Sequence, residues 1–183
     1  MRSIYFAAAY IALAVLYGTT VADDEAQSEE IKVPVNRVSI DQSLTTSGQP
    51  VREYFDVLAN EGIEIVVNLA PPESHGSIAD EGGLVGERGI VCVNIPVNWE
   101  APERGHFDFF SELLKNNKHK KTLVHCQVGF RASTFAFLHR VVHRNVEPDV
   151  ALQALQEVWV PNETWKAFAN EVLSDHDVDF QLD

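Results

Sequence analysis

The sequence predicts an α/β domain with a central, mainly parallel sheet that is flanked by helices. The first observation is the alternation, from residue 35 onwards, of short apolar runs typical of strands with longer amphipathic stretches typical of helices. The second is that the inner strand-like runs, 63–69 and 90–95, are rich in apolar residues, as strands are when helices cover both faces of a sheet. The length of 183 residues allows one such domain with its own core.

Strands are predicted where β-branched and apolar residues run together between turn residues. Pro71 and Pro72, for example, end the apolar run that precedes them. The predicted strands are residues 37–40, 63–69, 90–95 and 122–125. Residues 44–50, with the sequence LTTSGQP, are predicted to form a turn-rich loop.

Helices are predicted from apolar residues at helical spacing and from the residues that begin or end a helix. Pro50 fits a first helical turn, and Gly62 follows the end of that helix. The predicted helices are residues 50–60, 78–87, 107–115, 132–143, 148–159 and 163–172.

The first 22 residues have the pattern of a secretory signal peptide. Arg2 precedes an apolar run at 4–17, and small residues at 20–22 fit a cleavage site. Because the run is short for a membrane span, we expect a cleaved signal peptide at 1–22, with an uncleaved anchor as the alternative. The mature chain is then expected to be periplasmic or secreted, without stable membrane association. The other segments are predicted to be a flexible leader at 23–34, the α/β domain at 35–174 and an acidic tail at 175–183.

The formal net charge of −13 excludes some partners and constrains others. A nucleic acid is not expected as a partner, because its phosphates require a basic surface. An anionic substrate has to be bound by local dipoles and by one or two arginines, against the field of the whole protein.

The chemistry is predicted at Cys126, which follows the strand at 122–125. In parallel sheets, ligands bind at the carboxyl ends of the strands. The loop after Cys126 leads into a helix, whose N-terminus favours an anion and therefore the nucleophilic thiolate form of cysteine. Gly129 lets successive N–H groups point inward, and the fork of Arg131 binds two oxygens of an oxyanion. A buried structural cysteine before a solvent-facing arginine is the alternative.

These residues resemble the active-site loop of the cysteine-dependent protein tyrosine and dual-specificity phosphatases. The match is carried by His125, Cys126, Gly129 and Arg131. The spacer between Cys126 and Arg131 has four residues instead of the usual five, as in a bacterial branch related to the domain found beside beta-lactamase-like hydrolases. Segments similar to that branch are 46–50, 67–69 and 94–97, and the resemblance covers about residues 35–172.

The resemblance implies a phosphatase that acts on phosphorylated substrates without a metal or another cofactor. Cys126 would form a phosphocysteine, while Arg131 and the backbone N–H groups of residues 127–131 would bind the phosphoryl oxygens. His125 would lie behind the loop and tie it to the backbone, or be a core histidine. The residues assigned to the phosphate-binding loop are Gln127, Val128, Gly129, Phe130, Ala132 and Ser133.

Two further features depart from the phosphatase pattern. Ala132 follows Arg131 where the family usually has Ser or Thr, so Ser133 would either reach the sulfur or cap the helix. The loop at 96–103, which corresponds to the family's general-acid loop, contains no Asp. Glu100 is therefore our candidate acid, with Glu103 second and Asp108 third, and a solvated surface carboxylate is the alternative for each of the three.

Three alternatives remain open. The short loop also resembles that of rhodanese-like sulfurtransferases, in which the cysteine carries a persulfide. The missing Asp and the short spacer also fit a pseudophosphatase that binds phosphate without turnover. Finally, Cys92 could form a structural or a transient disulfide with Cys126, since an exported chain enters an oxidising compartment.

Overall fold

The computed structural model describes residues 31–183, so the predicted signal peptide and most of the leader lie outside the described residues. The strands in this part of the chain are β1 (Val38–Ser39), β2 (Leu44–Ser47), β3 (Ile65–Asn68), β4 (Val91–Asn94) and β5 (Thr122–His125). The helices are α1 (Tyr54–Asn60), α2 (Glu81–Gly86), α3 (Arg104–Asn116), α4 (Phe130–Arg144), α5 (Pro148–Gln156) and α6 (Glu163–Asp175).

In residues 31–183 the strands form one sheet with the order β1-β2-β5-β3-β4. β1 pairs antiparallel with β2, and the other three pairings are parallel. This confirms the predicted mainly parallel sheet. β5 lies at the centre, and the residues opposite its last residue His125 are Ser47 on β2 and Asn68 on β3. Whatever follows His125 therefore lies at the middle of the carboxyl edge of the sheet.

The prediction of a loop at residues 44–50 was wrong for its first half. Residues 44–47 form β2, a strand whose four residues are all buried between β1 and β5. Thr45 and Thr46 are β-branched and fit a pleated strand, although their hydroxyl groups suggested a turn. The first helix also begins later than predicted, at Tyr54.

The two faces of the sheet are covered by separate apolar clusters, as the sequence predicted. Along β3, Val67 contributes to the cluster packed under α3, α4, α5 and α6, while its neighbour Val66 contributes to the smaller cluster under α1 and α2. This alternation is the two-residue period of a strand. Helix α4 is buried along most of its length, with all residues from Arg131 to His139 inside.

Residues beyond α6 pack on the domain. Asn170 of α6 accepts a hydrogen bond from the backbone N–H of Leu182 at 2.8 Å and donates one to its carbonyl at 3.2 Å. Leu182 is buried, and the ring of Phe180 lies 6.3 Å from that of Phe137. Within residues 31–183, no helix combines the length and the apolar character that a membrane crossing requires.

Candidate active site

Cys126 lies at the carboxyl end of the central strand and directly before α4. Its side chain is fully buried, and its sulfur accepts a hydrogen bond of 3.2 Å from the backbone N–H of Gly129. Gly129 has a φ of 92°, a conformation that glycine adopts readily, and it is the residue before the first turn of α4. The helix N-terminus therefore faces the sulfur and favours a negative charge there.

The carbonyl groups of the loop are held away from the sulfur. The carbonyl of Gln127 accepts a hydrogen bond from the backbone N–H of Gln49 at 3.1 Å, and the carbonyl of Val128 accepts one from the Asn36 side chain at 2.8 Å. Because the described peptide bonds are trans, each N–H points opposite to the preceding carbonyl. The N–H groups of Val128 and Gly129 are thereby turned inward, which is the arrangement that binds an anion.

The segment at 46–50 forms the support on which the cysteine loop rests. A Cβ at Gly48 would lie 2.6 Å from Val35 Cγ2, 3.1 Å from the Gln127 carbonyl oxygen and 3.2 Å from Val128 Cα. A Cβ at Gly129 would lie 3.3 Å from the Ser47 carbonyl carbon. The backbones of the two loops lie so close together that a Cβ atom at either position would be crowded, and this explains the glycine in each loop.

Arg131 is buried beside the loop and does not face solvent freely. Its Nε donates to the Val97 carbonyl at 3.0 Å, and the carbon of its guanidinium lies 5.3 Å from the centre of the Trp99 ring. Its two terminal nitrogens make no hydrogen bond within residues 31–183. Arg131 lines a cavity of about 590 Å³ whose other walls are Pro71, Pro72, Glu73, Pro96, Asn98 and Trp99. The fork thus has one nitrogen fixed and two that can bind an oxyanion.

Trp99 forms a wall of this cavity and belongs to an aromatic cluster. Its ring lies 5.2 Å from that of Trp165, 5.4 Å from that of Trp159 and 6.1 Å from that of Phe130. The indole N–H of Trp165 also donates to the Trp99 carbonyl at 3.0 Å. These contacts fix the loop at 96–103 against α4 and α6.

The structure does not bring the predicted acids to this cavity. Glu100 and Glu103 are exposed and neither lines it; the backbone N–H of Glu100 donates to the Asn98 side chain at 2.9 Å. Asp108 lies on the surface of α3 and pairs with Arg104 at 2.8 Å. The carboxylate that lines the cavity in the described part of the chain is Glu73, which the sequence analysis missed because it lies far from the expected loop.

Behind the loop, His125 binds a buried carboxylate and not the backbone as predicted. Its Nε2 lies 3.0 Å from Glu81 Oε1, and its Nδ1 is buried without a hydrogen-bond partner among residues 31–183. Glu81 also accepts hydrogen bonds from Gln49 at 2.6 Å and from Asn68 at 3.2 Å. One carboxylate thus connects the residues that follow or end three neighbouring strands.

The electrostatics of Glu81 favour its charged form. Burial raises the pKa of Glu81. The hydrogen bond and charge of His125, together with the hydrogen bonds of Gln49 and Asn68, outweigh this effect, so the pKa lies below its ordinary value of 4.5. The carboxylate therefore remains ionised at neutral pH. Sequence reasoning missed Glu81 because a single acid in the first turn of a short helix resembles a surface residue.

Ser133 fits neither of its two predicted roles. Its hydroxyl donates to the Phe130 carbonyl at 3.1 Å, one turn back in α4, and reaches neither the sulfur nor a free N–H group. Ala132 before it is fully buried in the core under α4. At the position where the phosphatases usually have a hydroxyl group, this chain has the methyl group of Ala132, which only packs in the core.

The geometry is incompatible with a disulfide between the two cysteines. Both are free, and Cys92 lies on β4 opposite Val66 of β3, while Cys126 follows His125 of β5, which lies opposite Asn68. An intervening strand separates their backbones by roughly 10 Å, and a disulfide needs Cα atoms within about 7 Å. Burial, followed by the charge of Glu81, also raises the pKa of Cys92 to about 11, so its thiol is a poor nucleophile.

No group of three or more metal-ligating side chains that could hold a metal ion occurs in the part of the chain that the structure describes. His139 and His143 lie one turn apart on α4, but His139 is buried 3.3 Å from Ser111 Oγ, and burial lowers its pKa to about 4.

In this chain a cysteine directly follows the central strand, a short loop comes next, and an arginine lies in the first turn of the buried helix after the loop. This is the architecture of the cysteine-dependent tyrosine and dual-specificity phosphatases. The comparisons with solved structures confirm this resemblance. The chain is similar to a DUF442 protein of Shewanella putrefaciens CN-32 that is described as a candidate phosphatase. The two are 29% identical with a TM-score of 0.71, and the match covers 78% of this chain and 94% of that one.

Two more distant structures share the fold. One is TpbA of P. aeruginosa in complex with pTyr, at 18% identity and a TM-score of 0.61, covering 78% of this chain and 86% of that one. The other is PTPMT1 in complex with PI(5)P, at 13% identity and a TM-score of 0.66, covering 77% and 96%. In comparisons of sequence, no family model and no curated protein matches the chain.

The contact between the two loops predicts a specific effect of Gly48→Ala. The new methyl group would collide with the Val35 side chain and the Gln127 carbonyl and push the cysteine loop away from residue 48, so we expect the free energy of unfolding to fall by about 1–3 kcal/mol. The measurement is urea unfolding of this variant beside Gly83→Ala. Gly83 lies on α2 with open space around its Cβ, so that alanine is expected to be neutral or stabilising. Equal stability of the two variants would refute the tight contact.

Glu81→Gln is predicted to destabilise the domain in a pH-dependent way. An amide offers one acceptor oxygen to three donors, so at least one buried donor loses its partner, at about 1–3 kcal/mol. The pKa of Glu81 is lower in the folded protein than its ordinary value of 4.5. Its carboxylate therefore stabilises the fold fully at pH values above 4.5, and this stabilisation is lost as the pH falls through the folded pKa. The free-energy difference from wild type should therefore shrink in acid. Glu87→Gln, at an exposed position directly after α2, should show no such difference at any pH.

Proposed function

We propose that this protein is a cysteine-dependent phosphatase that hydrolyses phosphate monoesters through a phosphocysteine at Cys126. The observation that carries the proposal is the loop itself. The N–H of Gly129 donates to the sulfur, and Arg131, at the end of the same loop, has two terminal nitrogens without a hydrogen-bond partner in the described chain. This arrangement matches the three oxygens of a transferring phosphoryl group.

In the proposed reaction, the phosphoryl group is transferred first to Cys126 and then to water. The Cys126 thiolate attacks phosphorus, and the S–P bond forms as the ester P–O bond breaks and the leaving oxygen takes a proton from a carboxylic acid. A water molecule then attacks the phosphocysteine, giving its proton to the carboxylate and releasing inorganic phosphate and the thiolate. Throughout both steps, the N–H groups of the loop and Arg131 stabilise the equatorial oxygens.

The substrate that we propose is a phosphate ester on a protein or a small molecule. TpbA has been seen with pTyr and PTPMT1 with PI(5)P, so this fold accepts more than one phosphorylated group. In this chain the cavity beside Arg131 is walled by prolines and Trp99, which supports binding of a flat, apolar group next to the phosphate.

A second candidate is a pseudophosphatase that binds phosphate without turnover. The observation in its favour is the complete burial of Cys126 under a spacer one residue shorter than usual. A sulfurtransferase has less support, because the similar structures described above are phosphatases or a candidate phosphatase.

The test is the release of phosphate from para-nitrophenyl phosphate, and of thiocyanate from thiosulfate with cyanide, by the mature reduced protein. We expect phosphate release that Cys126→Ser abolishes. Arg131→Lys should lower kcat by about 10²–10³-fold, because a point charge does not replace the fork. Arg144→Lys, on the exposed end of the same helix, serves as the control and should act like wild type.

Each other result has a definite meaning. Thiocyanate formation without phosphate release would assign the chain to the sulfurtransferases. Neither activity, with phosphate bound equally by wild type and Cys126→Ser, would support the pseudophosphatase. Near-normal turnover by Arg131→Lys would refute the oxyanion role of that side chain.

We also propose that the protein is exported to the periplasm or secreted. The support is the sequence of residues 1–22, with its basic start, apolar run and small residues before Asp23. In a bacterial host, the mature protein is expected to begin at Asp23 and to appear in the periplasmic or extracellular fraction. The intact mass of the purified protein measures this, and a full-length mass in the membrane fraction would favour the uncleaved anchor.

A further inference from the structure

The cavity beside Arg131 is lined by a carboxylate from a loop other than the expected one. Its lining includes Glu73, from the loop after β3, and Asn98 and Trp99, from the loop after β4. We infer that Glu73 is the catalytic acid that protonates the leaving oxygen. This inference rests on the proposed function and names a residue that the resemblance to the phosphatases does not supply.

The loop that carries Glu73 is held firmly to the sheet. The backbone N–H of Ser74 donates to the Pro71 carbonyl at 3.0 Å, which closes a turn with Pro72 and Glu73 at its centre. Proline fixes φ at the second position of such a turn. The Ser77 hydroxyl donates to the Pro72 carbonyl at 2.6 Å. Glu73 is therefore presented from a defined position on a constrained loop.

The start of the same loop is anchored by two asparagine side chains. Asn68, at the end of β3, accepts a hydrogen bond from the Ala70 N–H at 2.8 Å, and Asn94, at the end of β4, donates to the Ala70 carbonyl at 2.9 Å. These bonds join the loop to β3, which pairs with β5, and to the edge strand β4. The position of Glu73 is thus tied to the strand edge from which Cys126 also extends.

The Glu73 carboxyl group is available for proton transfer. Within residues 31–183 it makes no hydrogen bond and no ion pair, and the residue is exposed to solvent. Two other acids near the loop are not available in this way. Glu81 is buried and shared among three donors, which keep it ionised, and Asp108 pairs with Arg104.

The loop after β4 supplies a wall in place of an acid. Asn98 faces the cavity where an acid is expected, and a carboxamide donates no proton at neutral pH. Glu100 and Glu103 follow it on the exposed side. In the first step, Glu73 gives its proton to the leaving oxygen as that P–O bond breaks. In the second, its carboxylate takes a proton from the attacking water.

The test compares a poor and a good leaving group. For Glu73→Gln, we expect kcat/KM on phenyl phosphate to fall about 10²–10³-fold, whereas kcat/KM on para-nitrophenyl phosphate falls less than about tenfold, because kcat/KM reports the first step and the para-nitrophenolate oxygen leaves without a proton. The alkaline limb of the kcat/KM profile on phenyl phosphate should also disappear. Glu73→Asp should restore part of the rate, and the unfolding midpoint should not change. Glu171→Gln, an exposed residue on α6, is the control.

The outcomes separate the two proposals. Wild-type turnover of phenyl phosphate by Glu73→Gln would overturn the inference and leave the phosphatase intact. A selective loss in Glu100→Gln or Glu103→Gln would overturn it in favour of the loop after β4. If the wild type shows no phosphate release that depends on Cys126, the proposed function fails, and the role of Glu73 fails with it.

Discussion

The site depends on one constraint, which is that the carbonyl groups of the cysteine loop point outward. Gln49 and Asn36 hold two consecutive carbonyls, and planar trans peptides then turn the next N–H groups inward, where that of Gly129 meets the sulfur. The contact requires two backbones at van der Waals distance, which only Gly48 and Gly129 permit. The loop is therefore organised for an anion before any anion binds, and this preorganisation removes much of the cost of aligning dipoles during reaction.

The same constraint explains how an acidic protein can bind a phosphate group. With a formal charge of −13, the overall field repels anions, so attraction has to come from groups within a few ångströms. The start of α4, the inward N–H groups and Arg131 provide it. The negative charge of Glu81 lies close behind, but three donors, His125 among them, share it and offset its repulsion. A buried carboxylate can thus support the loop without opposing its ligand.

The sequence predicted the parts whose residues contain their own signal. Continuous apolar runs identified β3 and β4, and the pattern from His125 to Arg131 identified the cysteine loop. It did not reveal Asn36, Glu73 or Glu81, because an isolated polar residue acquires its role only from distant contacts. Asn36 and Val128 are separated by 92 positions, and Glu81 and His125 by 44. The strand β2 was missed because its threonines fit a turn and a buried strand equally well.

Arg131 links the two halves of the site. Its Nε is bound to the Val97 carbonyl and its plane lies near Trp99, so the position of the loop after β4 determines where the two terminal nitrogens point. That loop is in turn fixed by Trp165, whose indole binds the Trp99 carbonyl from α6. A displacement of Trp99 would therefore misdirect the guanidinium even if the cysteine loop kept its shape. In the proposed mechanism, the loop after β4 therefore aims the arginine, and the proton comes from Glu73 on the loop after β3.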